Sequence, residues 1–426
     1  MKNVVKNNNP LLQPWLMWGL AVAFYFYEFL LQVSPNVMVP ELMRAFQLNA
    51  AQLGNLTACY FYAYAAMQIP SGILLDRYGP RFLLTAATSF CVLGCLLLGT
   101  ATTLVLAQIG RFSIGFGAAF AVLGCFRLIA NWFPTQRFAF LTSLTVTVGM
   151  LGAIGGQAPL ALLVEFLDWR ASLIFLALIG GLLAFQIWRK VRNAPGDESF
   201  ITTTLDQAPF FHGIQNVLRN KANWVTAFYG GLMFAPTSIL GALWGVPFLM
   251  SAYGISRPSA AGIISTLFIG WAVGAPLTGF FADHLNKRDL TLLIGTLGAL
   301  LTLSLFIYIH MPLFLLGCTL FAFGFFSSGF LPSFAIVQEI NPAENSATAL
   351  GFMNMINMLG GALGQPFIGY LLDLMWHGQL NNGSRVYSAI TFQTALSTLP
   401  LCILAALFLL LLIRKMKLNL PQTTQH

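Results

Sequence analysis

The sequence predicts an all-α polytopic membrane protein of twelve transmembrane helices, arranged in two pseudo-twofold-related six-helix halves. Three observations predict it. Only 8% of the 426 residues are charged and 57% are hydrophobic, whereas a soluble domain carries about 25% charged residues. The apolar runs are long and do not alternate polar with apolar. That selects helices of about 20 residues over the short alternating strands of a barrel, the two structures that satisfy backbone polar groups inside hydrocarbon. Finally, ordered anchors recur at an offset of 207 or 208 residues, among them Val39-Pro40 with Val246-Pro247, Gly72 with Gly279, Asp76 with Asp283, and Pro134 with Pro342.

In order, the spans are 12–37, 51–74, 82–100, 104–130, 138–163, 168–189, 222–250, 259–281, 290–310, 312–337, 348–372 and 388–413. An even number puts both termini on one side. With the termini cytoplasmic, the cytoplasmic segments hold fifteen cations: Lys2, Lys6, Arg77, Arg81, Arg137, Arg189, Lys190, Arg192, Arg219, Lys221, Lys287, Arg288, Arg414, Lys415 and Lys417. The opposite face holds only Arg44, Arg170, Arg257 and Arg385. This positive-inside asymmetry orients the chain with both termini cytoplasmic. It also accounts for the formal net charge of +8 without a nucleic-acid surface. The first apolar run has span length and no small-residue cleavage pattern, so it is expected to stay as a span. The six cysteines fall within spans, form no metal-type spacing, and are expected to pack as small apolar residues.

Span 1 carries Tyr25-Phe-Tyr27-Glu28-Phe-Leu-Leu-Gln32. An ionisable group deep in a bilayer is costly and marks function, and Glu28 lies ~13 Å below the outer end at ~1.5 Å per residue. Between spans 2 and 3, Gly72-Ile-Leu-Leu-Asp76-Arg77-Tyr-Gly79-Pro80-Arg81 forms a tight link. Gly79 and Pro80 suit a reversal there, and the arginines suit the positive side. Gly72 and Asp76, four residues apart, share a helix face. Glycine there lets a neighbouring helix approach, and the carboxylate can meet a helix amino terminus or an arginine. A plain charged turn is the simpler alternative. Gly279, Asp283 and Arg288 write the pattern again between spans 8 and 9.

Span 4 contains Arg111-Phe-Ser-Ile-Gly115-Phe-Gly117, with Arg111 ~10 Å down, a level compatible with Glu28. Arg127, nearer the cytoplasmic end, either snorkels or meets an anion. Span 5 has Gly156-Gln157-Ala158-Pro159, and span 11 has Gly364-Gln365-Pro366 at the equivalent place. These residues bend helices and set Gln157 and Gln365 as partners by repeat. Tyr25, Gln32, Tyr60, Tyr64, Trp244, Asn354 and Asn357 are further cavity candidates, each also readable as packing. The polar stretch 190–221 is the seam, leaving an N-terminal half 1–189 and a C-terminal half 222–426 with a cytoplasmic tail.

On these residues the chain resembles the major facilitator superfamily, of bacterial nutrient-permease type. Its signature Gly-x-x-x-Asp-Arg-x-Gly-x-Arg is matched by Gly72, Asp76, Arg77, Gly79 and Arg81, and more weakly by Gly279, Asp283 and Arg288. Its span-4 pattern Arg-x-x-x-Gly-x-Gly is matched by Arg111, Gly115 and Gly117. The resemblance implies that Asp76 latches the cytoplasmic side to the other half when the cavity opens outward, with a partner near Ser346, and that Asp283 faces Arg137. It places spans 1 and 4 together on the central cavity, where Glu28 and Arg111 either pair with each other or both contact ligand. The Gly-Pro pair of drug antiporters is absent from span 5, which favours import.

Function follows as secondary transport by alternating access. Two in-span cations against one in-span acid favour an anionic or zwitterionic solute, and a proton is the expected coupling ion, carried by Glu28. Efflux of a siderophore or drug, and a transport-dead nutrient sensor, are the alternatives. No GxxxxGK[ST], HExxH or GxSxG is present and the five histidines are scattered, so neither ATP-driven pumping nor an enzyme is expected. No cofactor or metal is expected, and the chain is expected to act as a monomer.

Overall fold

Twelve spans form where the apolar runs demand them, yet many are interrupted inside the membrane, and the interruptions create the polar interior. A computed structural model describes residues 12–195, 210–284, 288–381 and 383–418. Lys2, Lys6, Lys287, the side chain of Lys417 and positions 196–209 of the expected seam lie outside the described residues.

The first half runs α1 (Leu12–Val33), α2 (Val39–Phe46), α3 (Ala50–Thr100), α4 (Leu104–Ala118), α5 (Ala121–Trp132), α6 (Phe138–Gly155), α7 (Ala158–Leu167) and α8 (Trp169–Lys190). After the seam, α9 (Phe210–Arg219) leads into α10 (Lys221–Ile239), α11 (Gly245–Tyr253), α12 (Arg257–His284), α13 (Arg288–Tyr308), α14 (Leu313–Ser327), α15 (Ser333–Glu339) and α16 (Ser346–Leu374). A hairpin of β1 (Leu380–Asn381) and β2 (Ser384–Arg385) precedes α17 (Ala389–Leu396) and α18 (Thr398–Leu418). Among the described residues ten helical stretches are long and apolar enough to cross a membrane. One of them, α3, contains two spans. The more polar α16, with Asn354, Asn357 and Gln365, supplies the twelfth.

The breaks recur with the sequence repeat. Span 1 passes through a 3₁₀ turn at Ser34–Val37 and span 7 through a π turn at Leu240–Trp244. Spans 4 and 10 are broken between α4 and α5 and between α14 and α15. Short 3₁₀ turns at Thr135–Arg137 and Ala343–Asn345, 208 residues apart, start spans 5 and 11. Span 5 breaks at Gly156 and Gln157, whereas α16 runs unbroken through Gln365 and Pro366. Between the halves, α3 lies along α16, and α12 along α6 and α7.

The link inside α3 is a single residue. Gly79 has φ 76° and ψ 157°, a conformation reserved for glycine. Asn193, just past α8, occupies the place a side chain there would take, within 2.8 Å of an ideal Cβ. Its Oδ1 accepts from the backbone N–H of Arg81 at 2.9 Å, capping the second arm of α3. Arg81 in turn lies over the Trp188 ring at 4.8 Å, and its Nε donates to the Trp188 carbonyl at the end of α8. Gly79→Ala is expected to lower the stability of the purified protein by about 1–3 kcal/mol, read as a drop in the thermal unfolding midpoint. Gly72→Ala, whose added Cβ would meet nothing within 4 Å, is expected to leave it unchanged.

Candidate functional site

Helix α1 loses its regular ladder one turn after Glu28, because Pro35 has no N–H to give to the carbonyl of Leu31. Arg111 of α4 takes up the slack. Its guanidinium donates to the carbonyls of Leu31 at 2.9 Å and Gln32 at 3.4 Å. One turn on, Gly115 lets α4 touch the α3 backbone, since an ideal Cβ there would fall 2.0 Å from the carbonyl of Tyr60. That contact brings Tyr60 against Arg111, with the guanidinium over its ring at 5.2 Å. The Tyr60 hydroxyl donates to Glu28 Oε1. Glu28 and Arg111, 2% and 1% exposed, are therefore joined through Tyr60 and form no ion pair of their own. Of the two arrangements expected, direct pairing is not the one formed, and helix-end carbonyls are the acceptors of Arg111.

Around this core, Tyr64 stacks on Tyr60 and faces Gln68 and Asn354. Asn354 of α16 donates to Gln68 of α3 at 2.6 Å, joining the two halves. Tyr25 packs against Gly149 of α6, and the Gln32 side chain is buried. Asn357, one turn from Asn354, lies against Gly230 of α10. Four buried atoms here have no hydrogen-bond partner: Glu28 Oε2, Arg111 Nε, Gln68 Nε2 and Asn357 Oδ1. Unsatisfied polar atoms are rare in folded interiors and expensive. A cluster holding a planar cationic fork, a carboxyl group and free amide atoms is equipped to receive an anionic, hydrogen-bonding guest.

Other candidates serve the seal between the halves at the end away from the termini. The π turn leaves carbonyls open, and Asn36 donates to those of Leu240 and Gly241 at 3.1 and 2.9 Å, while its Oδ1 accepts from the N–H of Val246. Gln157 donates to the Gly241 carbonyl at 2.7 Å. Trp244 donates its indole N–H to the Gln365 carbonyl, and the Gln365 amide reaches the Ser238 carbonyl. Gln157 thus holds the π turn from across the interface, Trp244 and Gln365 bond within their own half, and all three stand apart from the Glu28 cluster. Further out, Arg257 pairs with Glu41 at 2.5 Å across the halves. Asp373 of α16 accepts from the N–H groups of Ala50 and Ala51 at the amino terminus of α3, from Arg385 and from Tyr387. Burial, then the bond to Asp373, push the Tyr387 hydroxyl upward from its ordinary pKa, so it stays a donor.

The termini end is built differently. Asp76 pairs with Arg127 of its own half at 3.2 Å, the side chains 44% and 41% exposed, whereas the partner near Ser346 is expected when the cavity opens outward. Arg127 is accordingly tied to the link rather than to the Glu28 cluster. Arg288 pairs with Glu339 at the end of α15, the same tie in the second half with the charges exchanged. Arg77 lies over the ring of Tyr78. The side chain of Asp283 lies outside the described residues. Gly72 and Gly279 were expected to admit a neighbouring helix, yet each faces open space, with nothing within 4 Å of an added Cβ. Among the described residues the hydrogen bonds between the halves gather at the far end, and Gln68 with Asn354 is the pair nearest the termini. Asn36 and Gln68 escaped the sequence reading. A Ser-Pro-Asn run at the end of a span was the available signal for Asn36, and the amide within α3 was the signal for Gln68.

The Major Facilitator Superfamily model matches residues 17–365 and 232–425. The "Probable galactarate/D-glucarate transporter GarP" of Escherichia coli (strain K12) is 24% identical over 367 residues, 78% of this chain and 82% of that protein. The "Probable sulfoacetate transporter SauU" of Cupriavidus necator (strain ATCC 17699 / DSM 428 / KCTC 22496 / NCIMB 10442 / H16 / Stanier 337) is 24% identical over 321 residues, 72% and 71% of the two chains. Among solved structures, a bacterial homologue of the human lysosomal transporter Spinster, in an inward-facing and unoccupied conformation, superposes with TM-score 0.79 at 18% identity. It covers 96% of this chain and 99% of that one. That likeness shows the fold.

Asp373 is the hub of the far-end seal, and Asp373→Ala strips acceptors from two N–H groups, an arginine and a tyrosine. A hydrogen bond to a charged group contributes about 1.5–3 kcal/mol, so the variant is expected to raise the population open at the far end by roughly tenfold or more. Distances between spin labels placed on α2 and β2 measure it, and an unchanged distribution would remove Asp373 from the seal.

Proposed function

From a chain that belongs to the Major Facilitator Superfamily, and is thus an integral membrane transporter and not an enzyme, we infer that the solute is a small organic anion bearing a carboxylate. The observation that carries this is Arg111, buried at the meeting of α1, α3 and α4 and without a carboxylate partner of its own. A desolvated arginine held by neutral carbonyls keeps its positive charge uncompensated. An incoming carboxylate supplies the counter-charge in the bidentate geometry arginine favours. The solutes for which GarP and SauU are named, galactarate or D-glucarate and sulfoacetate, are anions of this kind and support the class.

In this proposal the halves 1–189 and 222–426 rock about the Glu28 cluster as a monomer in a bacterial plasma membrane, with the termini cytoplasmic. The seal at the far end and the open faces of Gly72 and Gly279 then describe a state facing the cytoplasm. When the far end opens, those glycines gain neighbours, and Asp76 and Asp283 reach across to the other half. Glu28 carries the coupling proton. Its free Oε2 is the protonation site, and a proton there neutralises the one acid beside the bound anion, so solute and proton enter together. Import follows from a proton gradient directed inward.

Uptake of labelled D-glucarate into proteoliposomes, with and without an imposed pH gradient, tests the scheme. Arg111→Gln is expected to lower uptake roughly 10–100-fold through loss of charge-assisted bonds to the anion. Glu28→Gln is expected to abolish the stimulation by acid outside while sparing exchange of solute between the two sides. PH dependence that survives Glu28→Gln would move the proton elsewhere. Anion binding without accumulation would mark a sensor on the same fold.

A further inference from the structure

Four arginines lie at the far end, where positive residues are otherwise avoided, and they are not used alike. Arg170 is spent on the end of α3, donating to the carbonyls of Gly99 and Ala101 at 3.0 and 2.7 Å. The other three, Arg44 of α2, Arg257 of α12 and Arg385 of β2, converge on one cavity of about 330 Å³ between the halves. No aspartate or glutamate is among its lining residues. Glu41 and Asp373, the partners of Arg257 and Arg385, are not part of that wall. Arg44 is exposed and has no hydrogen-bond or ion-pair partner among the described residues. Arg257 Nε is buried and unpartnered.

We propose that this cavity is a second anion site, a recruiting subsite for small carboxylates that lies outside the seal and ahead of Arg111. Its volume falls at the low end of small-molecule sites, which suits a solute of about six carbons. A cleft with charge of one sign concentrates counter-ions and speeds their arrival, an effect that weakens with salt. Arg44 offers a whole guanidinium fork, and a dicarboxylate held by it can place its second carboxylate on Arg257 or Arg385. Asn36, which lines the cavity beside Trp244 of the π turn, also belongs to the seal, so the captured anion waits directly above the path that opens. The link to the seal is closer still, because the Arg257 guanidinium joins the halves through Glu41. An anion that competes for it weakens that tie. That the ligand is the transported solute rests on the proposed function. That an anion binds among these arginines does not.

Arg385 provides a local reporter, since its guanidinium lies over the Trp376 ring at 4.2 Å. The experiment titrates D-glucarate, with uncharged D-glucitol as control, into the full-length protein in nanodiscs while tryptophan fluorescence is followed. The expected result is a saturable change with D-glucarate alone, weakened by salt and reduced in Trp376→Phe. Arg44→Gln should raise its apparent Kd about tenfold, the loss of one charge-assisted contact. It should also raise the KM of uptake at unchanged maximal rate. Arg111→Gln should leave the fluorescence response intact. A response that ignores Arg44→Gln, or that vanishes in Arg111→Gln, would place the anion at the central cluster and overturn the subsite while sparing the transport reading. No response to any anion would overturn it as well. Binding at the arginines without any uptake would sink the transport reading and leave the subsite standing.

Discussion

A backbone carbonyl that loses its helical partner inside hydrocarbon must find another donor, and that demand organises the interior of this protein. Pro35 frees the carbonyl of Leu31, and Arg111 answers it. The π turn at Leu240–Trp244 frees carbonyls in the other half, and Asn36 and Gln157 answer those from across the interface. Each answer draws a polar side chain into the membrane and fixes its direction. The broken helices thus supply both the charge at the centre and the seal beside it.

The two ends of the bundle use their polar groups in opposite ways. At the far end the bonds cross between the halves, many of them from side chain to backbone. At the termini end the ion pairs of Asp76 with Arg127 and of Arg288 with Glu339 stay within one half. Exposed pairs of this sort add little stability. They occupy charges that, in the proposed cycle, would otherwise reach across to the other half.

The spans, the repeat and the membrane setting were legible because apolar length and ordered anchors are local properties of the chain. Much of the central cluster was legible too, since an ionisable residue within a span announces itself: Glu28 and Arg111 do lie together. Their relation was not, because it depends on Pro35 and on the approach of α3 at Gly115, and neither a freed carbonyl nor a helix crossing can be counted along a sequence. Gln157 and Gln365 occupy equivalent places in the repeat but bond differently, one across the interface and one within its half. Gly72 and Gly279 face open space, and in the proposed cycle their faces depend on which end of the bundle is closed, a property of a state and not of a residue.

The two ends of the crossover between the halves are each pinned. Asn193 is seated against Gly79, and Asn131 and Trp132 hold the carbonyls of Asn193 and Arg192. On the other side, Asn220 donates to the carbonyl of Ile340 and Asn223 to Asn341. Each mooring is made of hydrogen bonds internal to one half, so the point where the chain leaves the first half and the point where it enters the second are fixed by contacts that do not cross the interface.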